Sequence, residues 1–143
     1  MAAKIEKTHI PDLSARQSQS IFDTVVPAGF PSPAADYEQD RLDLNRHLVK
    51  NPAATFFVRV TGDSMIGAGI YDGDLLVVDR SLEPRDKNVV IAVLDGELTV
   101  KRIRLMRGKI ILVPENENYF PHEITTDREF EVWGVVTNVI HKL

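Results

Sequence analysis

The sequence predicts a mainly β domain preceded by an N-terminal arm. The second half of the 143-residue chain alternates between runs rich in valine, isoleucine and leucine and short clusters of turn residues. Hydrophobic residues make up 43% of the chain and charged residues 27%, which is typical of a globular domain with one core. Residues 1–28 instead contain a stretch of polar and small residues, 14–20, without a sustained period, and we expect an extended or mobile arm there, in which residues 21–22 and 25–26 could pack.

Short helices are expected between the arm and the first strand. Ser32 and Pro33 suit the N-cap and the first helical position of one helix. Asp43 is expected to cap a second helix over residues 44–48, which ends before Pro52.

Apolar runs of strand length follow these helices, and turn residues separate them. Residues 72–74, Asp-Gly-Asp, predict a turn, and the Asp-Gly pair at residues 95–96 predicts a hairpin. The predicted strands are residues 55–60, 75–79, 89–94, 98–105, 110–113 and 132–140.

Composition excludes several classes of function. The net charge of −4 argues against binding nucleic acid by bulk electrostatics, and the basic run at residues 101–109 is explained equally well by a strand with one solvated face. The chain has no cysteine, and its four histidines show no metal-ligand spacing, so no metal or cofactor is expected. No apolar run reaches the ~18 residues of a membrane span, and the first residues lack a signal peptide's apolar stretch, so we expect a cytoplasmic protein.

Ser64 is the first candidate catalytic residue. It follows a predicted strand, and Gly62, Gly67 and Gly69 lie close to it in the sequence. Glycines allow a tight turn that exposes a nucleophile and directs backbone N–H groups at an oxyanion. The alternative is that Asp63 or Ser64 only caps a short helix, and the local pattern by itself favours this alternative.

Lys101 is the second candidate. It lies in the predicted strand 98–105, on the same face as Thr99 and Ile103. Burial on an apolar face disfavours the charged amine and lowers its pKa, as a general base near neutral pH requires. The alternative is a lysine that extends its amine to water at the strand edge.

Four segments of the chain resemble the UmuD–LexA family of self-cleaving serine–lysine proteins. The resemblance runs from about residue 25 to the C-terminus, and the signal peptidases are more distant kin. The segments that carry it are residues 29–37, 62–65, 72–79 and 98–101.

The resemblance implies a partly barrel-like β domain and a specific chemistry. Ser64 would be the nucleophile and Lys101 the general base, with the backbone N–H groups of Asp63 and Ser64 as oxyanion donors. The cut would fall between Ala28 and Gly29, two small residues, where some relatives have cysteine before the glycine. It would divide the chain into an arm, residues 1–28, and a peptidase-like domain, residues 29–143.

The same resemblance implies a function in the SOS response to DNA damage. The chain would be a homodimeric accessory subunit of an error-prone translesion polymerase, with a UmuC-type polymerase subunit and the RecA–single-stranded DNA filament as partners, no membrane, and little direct DNA binding. Two alternatives stay open. One is a non-catalytic homodimeric binding module whose arm is a docking peptide, and the other is a LexA-like repressor core, which the short segment before Gly29 disfavours.

Overall fold

The computed structural model describes residues 3–14, 18–22, 26, 28–29 and 39–143. The described residues up to Pro11 and residues 51–143 form one compact unit, and residues 12–50 form a second. The helix predicted from Ser32 and Pro33 lies outside the described residues.

The first unit is a β-barrel with a sheet extension. Its strands lie in the order β1-β4-β5-β10-β6-β7-β8-β9, and a further pairing of β1 with β7 closes a ring of six strands. All neighbouring pairs are antiparallel. The strands are β1 (Lys4–His9), β4 (Thr55–Thr61), β5 (Leu75–Asp79), β6 (Val89–Leu94), β7 (Glu97–Met106), β8 (Lys109–Val113), β9 (His122–Glu123) and β10 (Phe130–Ile140).

The barrel is closed by the N-terminal strand β1. It pairs with β4 from Lys4 opposite Thr61 to His9 opposite Phe57. On its other side, Lys4 lies opposite Thr99 of β7. The first residues of the chain are therefore structurally adjacent to the strand that carries Lys101.

The central strands are buried on both faces, which explains why their sequences are apolar without alternation. On β6, Ile91 packs in one hydrophobic cluster with Val58, Met65 and Val100. Its neighbour Val90 packs in a second cluster on the other side of the strand. Close packing also fixes Gly134 on β10, where an added Cβ would lie 2.6 Å from the Val78 side chain.

The second unit contains a short hairpin and a helix. Strand β2 (Ser18–Phe22) pairs antiparallel with β3 (Gln39–Asp43), and helix α1 (Leu44–Leu48) follows directly. Asp43 caps the helix by accepting a 3.0 Å hydrogen bond from the Asn45 N–H. Within the described ranges, no helix is long and apolar enough to cross a membrane.

The mainly β, barrel-like fold predicted from the sequence is confirmed. The six predicted strands are also found, as β4, β5, β6, β7, β8 and β10, and so is the helix capped by Asp43. The main difference lies in the arm, for which no regular element was predicted. Residues 4–9 form a barrel strand and residues 18–22 a hairpin strand. The two-residue strand β9 was also not predicted.

Candidate active site

Ser64 lies in a tight turn after β4. Gly62 adopts a φ of 94°, which favours glycine, and its N–H donates a 2.8 Å hydrogen bond to the Asp72 carboxylate. The chain then passes through Ser64, whose exposed fraction is 0%, into the 3₁₀ turn Ile66–Ala68. No side chain caps that turn, so the interpretation of Asp63 or Ser64 as a helix cap is wrong.

The loop after β8 contacts the turn that contains Ser64 through backbone hydrogen bonds. The Glu115 N–H donates to the Ser64 carbonyl at 2.8 Å, and the Gly67 N–H donates to the Glu115 carbonyl at 2.8 Å. An added Cβ at Gly67 would lie only 2.8 Å from that carbonyl oxygen, so this approach requires glycine. Two backbone hydrogen bonds to Glu115, one at Ser64 and one at Gly67, therefore fix the backbone of the turn that carries the hydroxyl.

Polar side chains of the same loop also hold Asp63. The Tyr119 hydroxyl donates to the Asp63 carboxylate at 2.5 Å, and the Asn116 amide donates to the Asp63 carbonyl at 2.9 Å. The Tyr119 hydrogen bond lowers the pKa of Asp63 and raises that of Tyr119. Asp63 is therefore a structural residue of the turn, held by groups more than 50 positions away.

Lys101 reaches Ser64 from strand β7. It lies opposite Val90 of β6, and its side chain extends so that Nζ is 3.2 Å from Ser64 Oγ. The amine also lies 3.1 Å from Thr99 Oγ1 and 3.0 Å from the Val100 carbonyl oxygen. Three acceptors therefore surround an amine that carries three hydrogens when it is charged.

Burial changes the acid–base properties of this amine. Lys101 is 6% exposed, so the interpretation in which the amine extends to water is wrong. Desolvation lowers the pKa of Lys101 from 10.5 to about 8. An appreciable fraction of neutral amine is therefore present near physiological pH, next to a hydroxyl that can donate a proton to it.

The Ser64 hydroxyl has a second contact, with the N-terminal strand. The Ala3 N–H donates a 2.8 Å hydrogen bond to Ser64 Oγ, and Ala3 is 1% exposed. Nothing in the sequence predicted this contact, because Ala3 lies in the segment assigned to the arm.

An open cavity of about 370 Å³ is lined in part by Lys101 and other residues of β7. Six of its eight lining residues are polar or charged, and the cavity is open to solvent, so water can enter it. Its lining residues are Leu94, Asp95, Glu97, Thr99, Lys101, Leu112, His122 and Arg128.

The predicted cleavage residues Ala28 and Gly29 belong to the second unit, and both are exposed in a bend of the chain. An added Cβ at Gly29 would meet open space. The local packing therefore does not require glycine at this position.

The basic run on β7 and β8 is largely neutralised by carboxylates. Arg102 pairs with Glu115, Arg104 with Asp86 at 2.9 Å, and Lys109 with Glu123 at 3.6 Å. These pairs favour the interpretation of the run as a solvated strand face over that of a DNA-binding stripe.

The chain is similar in sequence to a known protein family and to several known proteins. Residues 20–137 match the Peptidase S24-like family. The chain is 49% identical to protein SamA of Salmonella typhimurium over 125 residues, which cover 85% of this chain and 84% of SamA.

Two further relatives have similar sequence identity to this chain over a similar length. Protein ImpA of Escherichia coli is 48% identical over 120 residues, covering 80% of this chain and 78% of ImpA. Protein MucA of Salmonella typhimurium is 46% identical over 114 residues, covering 79% of this chain and 77% of MucA. The match extends over both units.

Proposed function

The chain belongs to the Peptidase S24-like family, and we propose that Ser64 is its nucleophile and Lys101 its general base. Its family makes it a UmuD-like, self-cleaving accessory protein of error-prone repair in the SOS response. The observation that supports the proposed pair is the 3.2 Å contact between Ser64 Oγ and the buried Lys101 amine.

The reaction begins with neutral Lys101. Its lone pair accepts the Ser64 hydroxyl proton as Oγ adds to the Ala28 carbonyl carbon, which gives a tetrahedral oxyanion. The backbone N–H groups of Asp63 and Ser64 are the proposed donors to this oxyanion. The two hydrogens of the neutral amine can donate to Thr99 Oγ1 and the Val100 carbonyl, which leaves its lone pair for the Ser64 hydroxyl proton.

Collapse of the intermediate breaks the bond between Ala28 and Gly29. The Lys101 ammonium returns its proton to the Gly29 nitrogen, which leaves as an amine, and the Ala28 carbonyl stays on Ser64 as an ester. Water then adds to the ester carbonyl as Lys101 accepts one of its protons, and Lys101 returns that proton to Ser64 Oγ as the ester bond breaks and residues 1–28 leave with a free carboxylate. The cavity beside Lys101 offers this water a route to the amine.

Small residues at the cut suit a recessed nucleophile. Since Ser64 is 0% exposed, only a segment without bulky side chains brings its backbone close to Oγ. Ala28 and Gly29 meet that requirement, and tethering to the same protein removes the need for high affinity.

The proposed partners are those of the accessory-subunit function. The product, residues 29–143, acts as a homodimer with a UmuC-type polymerase subunit. The RecA–single-stranded DNA filament raises the population of the cleavage-competent pose, which is otherwise rare.

Intact-mass measurement during incubation at pH 9 tests the proposal. Loss of residues 1–28 from the wild type, and no loss from Ser64→Ala or Lys101→Ala, is the expected result. A wild-type chain of unchanged mass, even with the activating filament present, favours a non-catalytic binding module. Equal cutting of wild type and Ser64→Ala assigns the cut to another protease.

A further inference from the structure

Strand β1 occupies the position next to both proposed catalytic residues. The N–H of Ala3, the residue directly before β1, contacts Ser64 Oγ at 2.8 Å, and Lys4 of β1 lies opposite Thr99, whose hydroxyl contacts the Lys101 amine. Ala3 also packs in the hydrophobic cluster that contains Met65, the residue after Ser64. The site as it stands in the structure therefore holds an extended chain segment.

The geometry of this contact engages the nucleophile without favouring attack. An N–H···O hydrogen bond places the acceptor oxygen near the plane of the amide. Addition to a carbonyl requires the oxygen to approach from above that plane, so that the orbitals align. With Ala3 and Lys101 both hydrogen-bonded to it, Ser64 Oγ has two partners, and neither is a carbonyl carbon positioned for addition.

We propose that β1 is a resident inhibitor of this site, which competes with the segment around Ala28 and Gly29 for the space beside Ser64. The inference rests on the proposed function, since it assigns an occupant to the same nucleophile. Ser64 is fully buried with β1 in place, so a second backbone segment cannot contact Oγ at the same time. Ala3 is small, as are Ala28 and Gly29, and the same steric requirement selects all three.

The strand is attached in a way that permits release. Four of its six side chains, those of Lys4, Glu6, Lys7 and Thr8, are exposed, so backbone pairing supplies most of its attachment. A segment with so little buried apolar surface opens locally at low free-energy cost. Self-cleavage is then limited by the fraction of molecules in which β1 has left the site.

The test is the self-cleavage rate of Ala3→Pro at pH 8, measured by intact mass. Proline has no N–H, so the hydrogen bond to Ser64 is lost while residues 28–29 and Lys101 are unchanged. The expected rate is about five to ten times that of the wild type, the change that corresponds to one hydrogen bond in the closed state. Glu6→Ala, which alters an exposed residue of the same strand, is expected to cut at the wild-type rate.

Several outcomes overturn this inference while leaving the proposed function intact. In one, the wild type is cut between Ala28 and Gly29, and Ala3→Pro is cut at the same rate or more slowly. Another is a product that begins at Ala3, which would make the strand a substrate.

Hydrogen exchange of the wild type at pH 6, where Lys101 is protonated and cleavage is slow, gives a reading independent of any variant's folding. Protected amides within residues 4–9 support the resident strand, and exchange as fast as in an unfolded peptide overturns it. Failure of the proposed function looks different, because the wild type would then either stay uncut or be cut no faster than Ser64→Ala.

Discussion

Two segments of this chain carry small residues suited to Ser64, and they differ in how they are held. Ala3 is 1% exposed and hydrogen-bonded to the serine, directly before the strand β1 that completes the barrel. Ala28 and Gly29 are exposed in a bend, and an added Cβ at Gly29 meets open space. The segment proposed to be cut is thus the loosely packed one, and the segment at the nucleophile is the one fixed by a sheet.

With Ser64 as the proposed nucleophile, the difference implies that a small residue beside it does not by itself make a substrate. A substrate segment has to enter, react and leave, which favours exposed backbone with few fixed hydrogen bonds. A segment held by a sheet stays in one geometry, and here Ala3 contacts Ser64 Oγ through a hydrogen bond and presents no carbonyl carbon to it. Four measurements test this distinction.

The largest effect is expected from Ser64→Ala, which removes the atom that both segments need. We expect self-cleavage to fall by at least about 10³-fold, because no other nucleophile replaces Oγ. The matched control is Ser14→Ala, an exposed serine before β2, which should cut at the wild-type rate. Product mass after several hours at pH 9 decides the result, and a residual rate near that of the wild type contradicts the assignment.

The next effect belongs to the cleavage segment alone. Gly29→Lys is expected to slow self-cleavage about 100-fold, because a long charged side chain displaces the reacting carbonyl from Ser64. Since Gly29 faces open space, thermal stability should be unchanged. Gly29→Ala and Ala28→Cys keep small side chains and should still be cut. Efficient cutting of Gly29→Lys, or a product N-terminus other than residue 29, contradicts the assigned site.

A smaller effect is expected from pH, through Lys101. With a pKa of about 8, the neutral fraction of this amine rises from about 10% at pH 7 to about 90% at pH 9. The self-cleavage rate should therefore rise about tenfold over that range and then level off. A rate that is flat between pH 6 and pH 10, with the fold intact by circular dichroism, argues against a lysine base.

The smallest effect concerns stability. The folded pKa of Lys101, about 8, lies below the unfolded value of 10.5, so the unfolded chain binds this proton more tightly between those pH values. This group therefore makes the wild type gain stability as pH rises from about 8 to 10.5, and the gain is absent below that window.

Lys101→Met removes the buried charge and should stabilise the protein by about 1–2 kcal/mol at pH 7. The advantage should shrink to near zero by pH 10.5. Urea unfolding of both proteins at the two pH values measures it, and an advantage independent of pH contradicts a desolvated amine.

Much of the barrel could be predicted from the sequence because its strands are continuous apolar runs bounded by turns. Strand β1 could not, since Ile5 is its one apolar residue and its pairing depends on backbone groups that leave no pattern in the sequence. A strand of this kind forms because neighbouring strands pair with its backbone, and its own composition does not specify it.

The proposed catalytic pair was predicted from a serine in a glycine-rich turn, a lysine on an apolar strand and a family resemblance. The groups that hold the turn were not predicted. Tyr119 and Asn116 contact Asp63 across 56 and 53 positions, and no local spacing relates them to it. Such contacts depend on the folded chain, in which the loop after β8 lies against the turn after β4.

The barrel closes through a single residue pair, Lys4 opposite Thr99. The strand that supplies Lys4 precedes Gly29, so a product that begins at Gly29 retains the other five strands of the ring as an open, curved sheet. In that product, β4 and the first half of β7 have no β1 beside them, so their N–H and C=O groups on that side face water. Backbone groups in that state take up a further strand readily. The proposed cut would thus remove β1 from its places beside β4 and Thr99 of β7.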